Sequence, residues 1–159
     1  MIYVEAINKP KGPSPWLFLA GGITGCPNWQ EDVVGFLRGF GYEGTLLNPR
    51  RADFPIGDPG AAQEQIAWEH DSLRLADEIL FWFPCETICP IVLYELGAWS
   101  VSDRPIYVGC HPDYERRQDV EIQTGLVRPE VKIVDSVYAL ARQVAYPEND
   151  EGPRPEGRG

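Results

Sequence analysis

The sequence is poor in histidine, in positive charge and in long apolar runs. It has only 2 histidines and 4 cysteines, of which a single pair, Cys85 and Cys89, is closely spaced, so we expect no metal site. Its 14 lysines and arginines stand against 24 acidic residues, and the net charge of −10 argues against binding to nucleic acid or to an anionic membrane surface. The longest apolar runs are strand-sized, and the N-terminus lacks the apolar core of a signal peptide. We therefore expect a cytoplasmic protein with reduced cysteines and no membrane span.

The length of 159 residues suits one globular domain with a sizeable core. Both ends of the chain are rich in proline, glycine and charge. We therefore expect a loosely ordered segment over residues 1–15, a single domain over 16–145 and a disordered tail over 146–159.

Between these ends, short apolar runs alternate with segments typical of helices. Strands are predicted at 16–20, 44–48, 78–83, 104–109 and 131–134. Helices are predicted at about 29–40, 62–75, 89–100, 113–126 and from 136 onward. This alternation predicts an α/β fold, a three-layer sandwich with a five-stranded parallel sheet of flavodoxin-like or Rossmann-like type. In such sheets a ligand binds beyond the carboxyl ends of the strands.

Two loops that follow predicted strands carry candidate binding residues. In AGGITG (20–25), Gly21 and Gly22 would let the backbone approach a ligand, although a tight turn alone could also require them. The spacing is not that of a dinucleotide fingerprint, and we expect no cofactor. In NPRRADFP (48–55), Asn48 and Arg50 lie where a polar ligand would bind, whereas an arginine on such a loop is also commonly solvated.

A single carboxylate interrupts the apolar segment CPIVLYELGAWS (89–100). Glu95 lies among apolar neighbours, and polar residues do not recur there at helical spacing. Burying an unpaired carboxylate is costly, so its presence indicates a functional task. The alternative is a structural carboxylate that pairs with an arginine or caps a neighbouring group.

Three segments together resemble a known superfamily. FLAGGITG (18–25), WEHDSLRLADEILFWF (68–83) and YELGAWS (94–100) are similar to segments of the nucleoside 2-deoxyribosyltransferase-like superfamily, which includes deoxyribosyltransferases and nucleotide N-glycoside hydrolases. The resemblance covers about residues 16 to 145. It implies that Gly21, Gly22 and Ile23 belong to the substrate site, because the GGITG turn looks like the corresponding turn of the hydrolase branch.

The resemblance also implies catalytic roles for two carboxylates. Glu95 would attack the anomeric carbon of a nucleoside, and the covalent glycosyl-enzyme would then react with water or a second base, as in retaining glycosidases. Glu69, eight residues before Asp77, would assist departure of the base, with Asp71 as the alternative. Because a helix turns about 100° per residue, Glu69 and Asp71 cannot share a face.

The chain departs from the family pattern at Cys89. The transferases have an aspartate at this position and the hydrolases a serine that meets a 5′-phosphate, whereas this chain has a cysteine followed by Pro90. We expect Cys89 to line the substrate site, but the family resemblance does not supply a phosphate-binding group there.

In many relatives a neighbouring subunit completes the pocket from the segment after the fourth strand, here GCHPDYERRQDVEIQT (109–124). Arg116 and Arg117 could then contact an anion, and His111 and Tyr114 a sugar. Alternatively, the segment forms an exposed helix start capped by Asp113. The incomplete phosphate site and the five tryptophans lead us to expect a homodimer or higher homo-oligomer.

The leading hypothesis is therefore a transferase or hydrolase of N-glycosidic bonds that acts on a nucleoside or a nucleoside 5′-monophosphate. A second hypothesis is a non-catalytic module of the same fold that binds or senses a nucleotide. A third is a structural subunit of an oligomer.

Overall fold

The computed structural model describes residues 1–147 and shows a parallel sheet between two layers of helices. The strands are β1 (Ile2–Glu5), β2 (Trp16–Gly21), β3 (Thr45–Asn48), β4 (Glu78–Phe83) and β5 (Ile106–Cys110). Their order in the sheet is β1-β3-β2-β4-β5, and every neighbouring pair is parallel. The predicted α/β fold with a five-stranded parallel sheet is confirmed.

Five helices cover the sheet and create two hydrophobic cores. They are α1 (Trp29–Gly39), α2 (Pro59–Leu75), α3 (Pro90–Ser100), α4 (Arg117–Val127) and α5 (Val137–Ala145). Residues of α1 and α5 form one core, and residues of α2, α3 and α4 form the other. Within the described part of the chain, no helix combines the length and the apolarity that a bilayer span requires.

The central strands are apolar at successive positions because both of their faces are buried. In β2, Leu17 and Leu19 enter the core beneath α1 and α5, whereas Phe18 and Ala20 enter the core beneath α2, α3 and α4. Side chains alternate between the two faces of a strand, so a strand covered on both sides requires apolar residues throughout.

Two elements differ from the sequence-based expectation. The segment 1–15, expected to be loosely ordered, contributes edge strand β1, which pairs with β3 and buries Val4. The expected strand at 131–134 is instead reduced to a single parallel bridge between Val134 and Gly109. Residues 131–134 are all at least partly exposed, so their β-branched side chains gain too little burial to extend the pairing. The sheet therefore has five strands, as predicted, but β1 takes the place of the strand expected at 131–134.

Helix boundaries also differ near two loops. Helix α2 begins earlier than expected, because the Asp58 side chain accepts a hydrogen bond from the Gly60 amide and Pro59 occupies the first turn. Helix α4 begins later than expected, and its N-cap position is held by Arg116 rather than by Asp113. The predicted disordered tail lies outside the described residues except for Tyr146 and Pro147.

Candidate active site

A cavity of about 260 Å³ lies beyond the carboxyl end of β2, where the fold predicts a ligand. It is lined by Phe18, Ala20, Gly21, Gly22, Ile23, Thr24, Pro49, Glu69, Thr87, Cys89, Pro90, Ile91, Val92 and Glu95. A larger cavity of about 620 Å³ lies beside β5 and α5, but none of the predicted site residues lines it. The chemistry of the lining residues, rather than size, therefore identifies the smaller cavity as the candidate site.

The cavity brings together the two carboxylates that the sequence singled out. Glu95 lies in the second turn of α3 and Glu69 in the second half of α2, and both are half-buried. Burial, together with the smaller effect of the nearby Glu69 charge, raises the pKa of Glu95 to about 8. Burial also raises the pKa of Glu69 above its usual value, against the lowering effect of a hydrogen bond from Gln65. The charge of Glu69 therefore adds to the effect of burial in favouring the protonated form of Glu95.

Gln65 fixes the position of Glu69 and was not found from the sequence. Its buried Nε2 donates to Glu69 Oε1 at 2.7 Å and to the carbonyl of Pro49, also at 2.7 Å. One amide group therefore ties the Glu69 carboxylate to the loop after β3. The spacing of four residues between Gln65 and Glu69, which places side chains on one helix face, was the available sequence signal.

The glycine loop after β2 packs too closely for side chains at two positions. A Cβ at Gly21 would contact the Trp29 ring and would come within 2.7 Å of the Trp82 carbonyl oxygen. The Trp29 indole also donates to the Gly22 carbonyl at 2.9 Å in the protein interior. The glycines are thus required by close packing at the cavity wall, in addition to any approach of a ligand.

Replacement of Gly21 by alanine is expected to destabilise the protein by about 1–3 kcal/mol, because overpacking forces shifts in Trp29 and in the strand β4 backbone. The matched control is Gly35→Ala, since Gly35 lies in α1 and a Cβ there meets no atom within 4 Å. That control is expected to stabilise the protein by about 0.5–1 kcal/mol. Urea denaturation compares the two, and equal stability of Gly21→Ala and wild type would contradict the packing account.

Asn48 and Arg50 do not line the cavity, although Asn48 ends β3 and Arg50 lies in the loop that follows it. Asn48 is buried, and its side chain donates to the Tyr3 hydroxyl and accepts from the Arg50 amide. The Arg50 guanidinium donates to the carbonyls of Ile23, Cys26 and Pro27 at 2.9–3.1 Å. In this structure Arg50 therefore stabilises the glycine loop through these hydrogen bonds and does not face the cavity.

The remaining candidates lie away from the cavity. Asp71 is exposed and is not among the lining residues, so the geometry favours Glu69 over it. The Tyr114 hydroxyl donates to the Ile88 carbonyl at 2.6 Å and thereby supports the loop before α3. Arg116 and Arg117 pair with acidic residues of their own helix, Asp119 and Glu121. The His111 Nδ1 accepts a hydrogen bond from the backbone amide of Asp113.

Cys89 lines the cavity as the N-cap residue of α3. Its backbone is left-handed, with φ of 52°, and its side chain is buried. Its thiol lies 3.1 Å from the Thr87 hydroxyl, which also lines the cavity. A thiol and a hydroxyl therefore occupy the cavity wall where α3 begins. Among the described lining residues, Glu69 and Glu95 carry the only carboxyl groups, and no lysine or arginine is present.

The sequence model that describes nucleoside 2-deoxyribosyltransferase-like proteins matches residues 14–114. The chain belongs to this family. The match begins just before β2 and ends after β5, so it includes every residue that lines the cavity. Family membership indicates a nucleoside deoxyribosyltransferase-like function. A comparison with curated proteins finds no significant match.

Helices α4 and α5 lie outside the residues that the family model matches. Helix α5 nevertheless contributes Leu140, Ala141 and Val144 to one of the two cores. The fold unit therefore extends beyond the matched residues, whereas the candidate site lies within them.

Proposed function

We propose that this nucleoside 2-deoxyribosyltransferase-like protein transfers or hydrolyses the N-glycosidic bond of a nucleoside or a nucleoside 5′-monophosphate. Glu95 attacks the anomeric carbon and displaces the base, and the glycosyl-enzyme then passes its sugar to water or to a second base. Two displacements on opposite faces retain the stereochemistry of the sugar. Glu69 supports the departing base.

The single observation that carries this proposal is the presence of Glu95 and Glu69 in one largely apolar cavity. The two raised pKa values mean that the pair holds one proton over a range of pH that ends near 8. One ionised carboxylate and one carboxylic acid are what a nucleophile and a proton donor require. In the unliganded protein the shared proton resides mainly on Glu95, and catalysis uses the arrangement in which it is on Glu69.

The test is a panel of purine and pyrimidine nucleosides and 5′-monophosphates, with ribose or deoxyribose, in the presence and absence of a second free base. Chromatography measures released base and any newly formed nucleoside. The proposal expects release of base from at least one member of the panel. New nucleoside would identify a transferase, and free sugar without it would identify a hydrolase.

The second hypothesis, a nucleotide-binding module without turnover, makes a different prediction in the same experiment. A ligand that binds only the folded state raises Tm, whether or not it reacts. A module of this kind therefore shows a ligand-dependent rise in Tm and releases no base from any member of the panel.

We also propose that the protein forms a homodimer or a higher homo-oligomer through the surface of α3 and α4. Tyr94 and Leu126, on these two helices, are 77% and 80% exposed. A groove of about 490 Å³ lies between the same two helices, with Gly97 and Ser100 among its lining residues. One surface thus offers both protruding side chains and a groove, as a two-fold symmetric contact requires. Ile91 lies on the same helix and also lines the cavity, so a partner there would cover the site.

Wild-type protein at micromolar concentration is expected to sediment as a dimer or larger assembly, and Leu126→Glu is expected to sediment as a monomer. A charge at the centre of an apolar contact remains unpaired and costs several-fold or more in affinity. Ile56→Glu is the matched control, because Ile56 is exposed in the loop before α2. A monomeric wild type with full activity would contradict the proposal.

A further inference from the structure

The thiol of Cys26 lies close to that of Cys89, which lines the cavity. A Cβ placed on Gly22 would come within 2.8 Å of Cys26 Sγ and within 2.7 Å of Cys89 Sγ, so both sulfurs flank the same point. The Thr87 hydroxyl is close to both thiols, at 3.9 Å from the Cys26 sulfur and 3.1 Å from the Cys89 sulfur. The proposed glycosidic chemistry uses neither thiol as a reacting group. All four cysteines of the protein are free.

The two cysteines belong to different elements of the fold. Cys26 lies at the end of the glycine loop, and its carbonyl accepts a hydrogen bond from the Arg50 guanidinium. Cys89 is the N-cap of α3, the helix that carries Glu95. A bond between these sulfurs would therefore join the loop to the start of the catalytic helix.

We propose that Cys26 and Cys89 form a reversible disulfide that switches the site off. With a low-molecular-mass disulfide such as oxidised glutathione as the oxidant, the Cys26 thiolate attacks one of its sulfurs, and one glutathione thiolate leaves. The Cys89 thiolate then attacks Cys26 Sγ, and the second glutathione leaves. One S–S bond is broken and one is formed, the two protein thiols are oxidised, the two glutathiones are reduced, and the two thiol protons pass to the leaving thiolates.

The exposure of each thiol sets the order of these steps. Cys26 is half-buried and can meet the oxidant, whereas Cys89 is only 5% exposed and can react only with a sulfur already beside it. Burial raises the pKa of Cys89, so its thiolate is scarce until the neighbouring mixed disulfide offers it a target. Cys110 is fully buried, and burial raises its pKa to about 12, so it remains inert. Cys85 is exposed and reacts without a neighbouring thiol.

The length of the disulfide bond determines how its formation should change the cavity. A disulfide brings the sulfurs to about 2.0 Å from each other, a separation that the free thiols do not have. Closing this gap draws the glycine loop toward the first turn of α3, and both sulfurs already lie close to Gly22. The shift displaces lining residues of the glycine loop and of the start of α3, and this part of the inference depends on the proposed function.

The covalent step is tested on the full chain carrying Cys85→Ser, which removes the exposed thiol. After treatment with oxidised glutathione, denatured protein should show one free thiol instead of three, and the intact mass should fall by two hydrogen atoms. Peptide mapping should locate the bond between Cys26 and Cys89. A glutathione adduct that persists on Cys26, or a bond that involves Cys110, would overturn the proposal. This readout does not depend on any activity.

The switching step is tested on wild type and on Cys26→Ser, with the most active substrate of the panel described above. Oxidised wild type should lose at least about tenfold in the rate of base release, because displacements of about 1 Å cost up to ~100-fold. Dithiothreitol should restore the rate, and Cys26→Ser should keep its activity under the oxidant. A mapped disulfide with an unchanged rate would overturn the switch. Absence of base release from the reduced protein would instead refute the proposed function, and the disulfide would still be judged by mass.

Discussion

Replacing Glu95 with glutamine is expected to lower the rate of base release by about 10³-fold or more, because only an ionised oxygen can attack the anomeric carbon. Glutamine preserves the size and most of the packing of the side chain, so the loss reports on chemistry rather than on folding. Single-turnover measurements with the most active substrate of the panel give the rate of the chemical step. Glu95→Ala is expected to lose as much.

The stability of the same variant provides an internal check. Burial keeps Glu95 protonated in the folded protein up to about pH 8, whereas the unfolded chain releases this proton near pH 4.5. Between these values the folded state binds more protons than the unfolded state, so the contribution of Glu95 to stability falls as pH rises. Glu95→Gln removes this penalty, and its Tm at pH 8 should equal or exceed that of wild type.

The matched control for Glu95 is Glu86→Gln. Glu86 is an exposed carboxylate in the loop between β4 and α3 and does not line the cavity. It should retain the wild-type rate. A Glu95→Gln rate within a few-fold of wild type would exclude Glu95 as the nucleophile.

The second large effect is expected in the pH dependence of the rate. The active form has one proton on the Glu69–Glu95 pair, so kcat/KM of the wild type should fall above pH 8 as that proton is lost. It should also fall at acidic pH, below the raised pKa of Glu69, as the second carboxylate becomes protonated. A bell-shaped profile is therefore expected, and a rate that keeps rising through pH 10 would contradict the shared proton.

Removing the carboxylate of Glu69 should change both the size and the shape of this profile. Glu69→Ala and Glu69→Gln should lower the rate of base release by about 10²-fold, the usual contribution of a proton donor. Nucleoside affinity should change less, because the interaction strengthens only as the base gains charge. The alkaline limb should also disappear, since Glu95 alone then titrates, and its pKa falls without the neighbouring negative charge.

Two exposed acidic residues of α2 serve as controls for Glu69. Glu64→Gln and Asp71→Ala should change stability by no more than about 0.5 kcal/mol and leave the rate unaltered. If Glu69→Ala releases base at the wild-type rate and Asp71→Ala does too, base departure depends on backbone groups or water. The role assigned to this helix would then be wrong.

Much of the fold was predictable because a sheet covered on both sides leaves a strong pattern. The runs that became β2 and β4 are apolar at nearly every position, which distinguishes them from the helices between them. The parallel order then placed the glycine loop and the start of α3 at one edge of the sheet. Glu95 and Glu69 were thereby brought to one cavity, as the family resemblance implied.

The elements that were not predicted depend on contacts distant in sequence. Strand β1 is short and half exposed, and it is ordered by the free edge of β3, some forty residues away. The segment 131–134 has equally strong local preferences, but it meets β5 at one residue only. Local propensity cannot distinguish these two cases, because pairing and burial decide between them.

The same limit applies to the site. Arg50 follows β3 as expected, but its guanidinium donates hydrogen bonds to three carbonyls of the glycine loop. The spacing of residues along the chain does not reveal these partners. The approach of Cys26 to Cys89 likewise depends on the fold, which brings both sulfurs close to Gly22. Only the three-dimensional arrangement distinguishes a residue that braces the loop from one that faces the cavity.

The most direct test of the central claim is a search for the glycosyl-enzyme itself. The protein is mixed with the most active substrate of the panel in the absence of an acceptor base, quenched in acid within the first turnover, digested and analysed by mass spectrometry. The account predicts one sugar residue attached to the Glu95 carboxylate, and no adduct in Glu95→Gln. Burst release of base without any adduct, together with a product of inverted anomeric configuration, would contradict it.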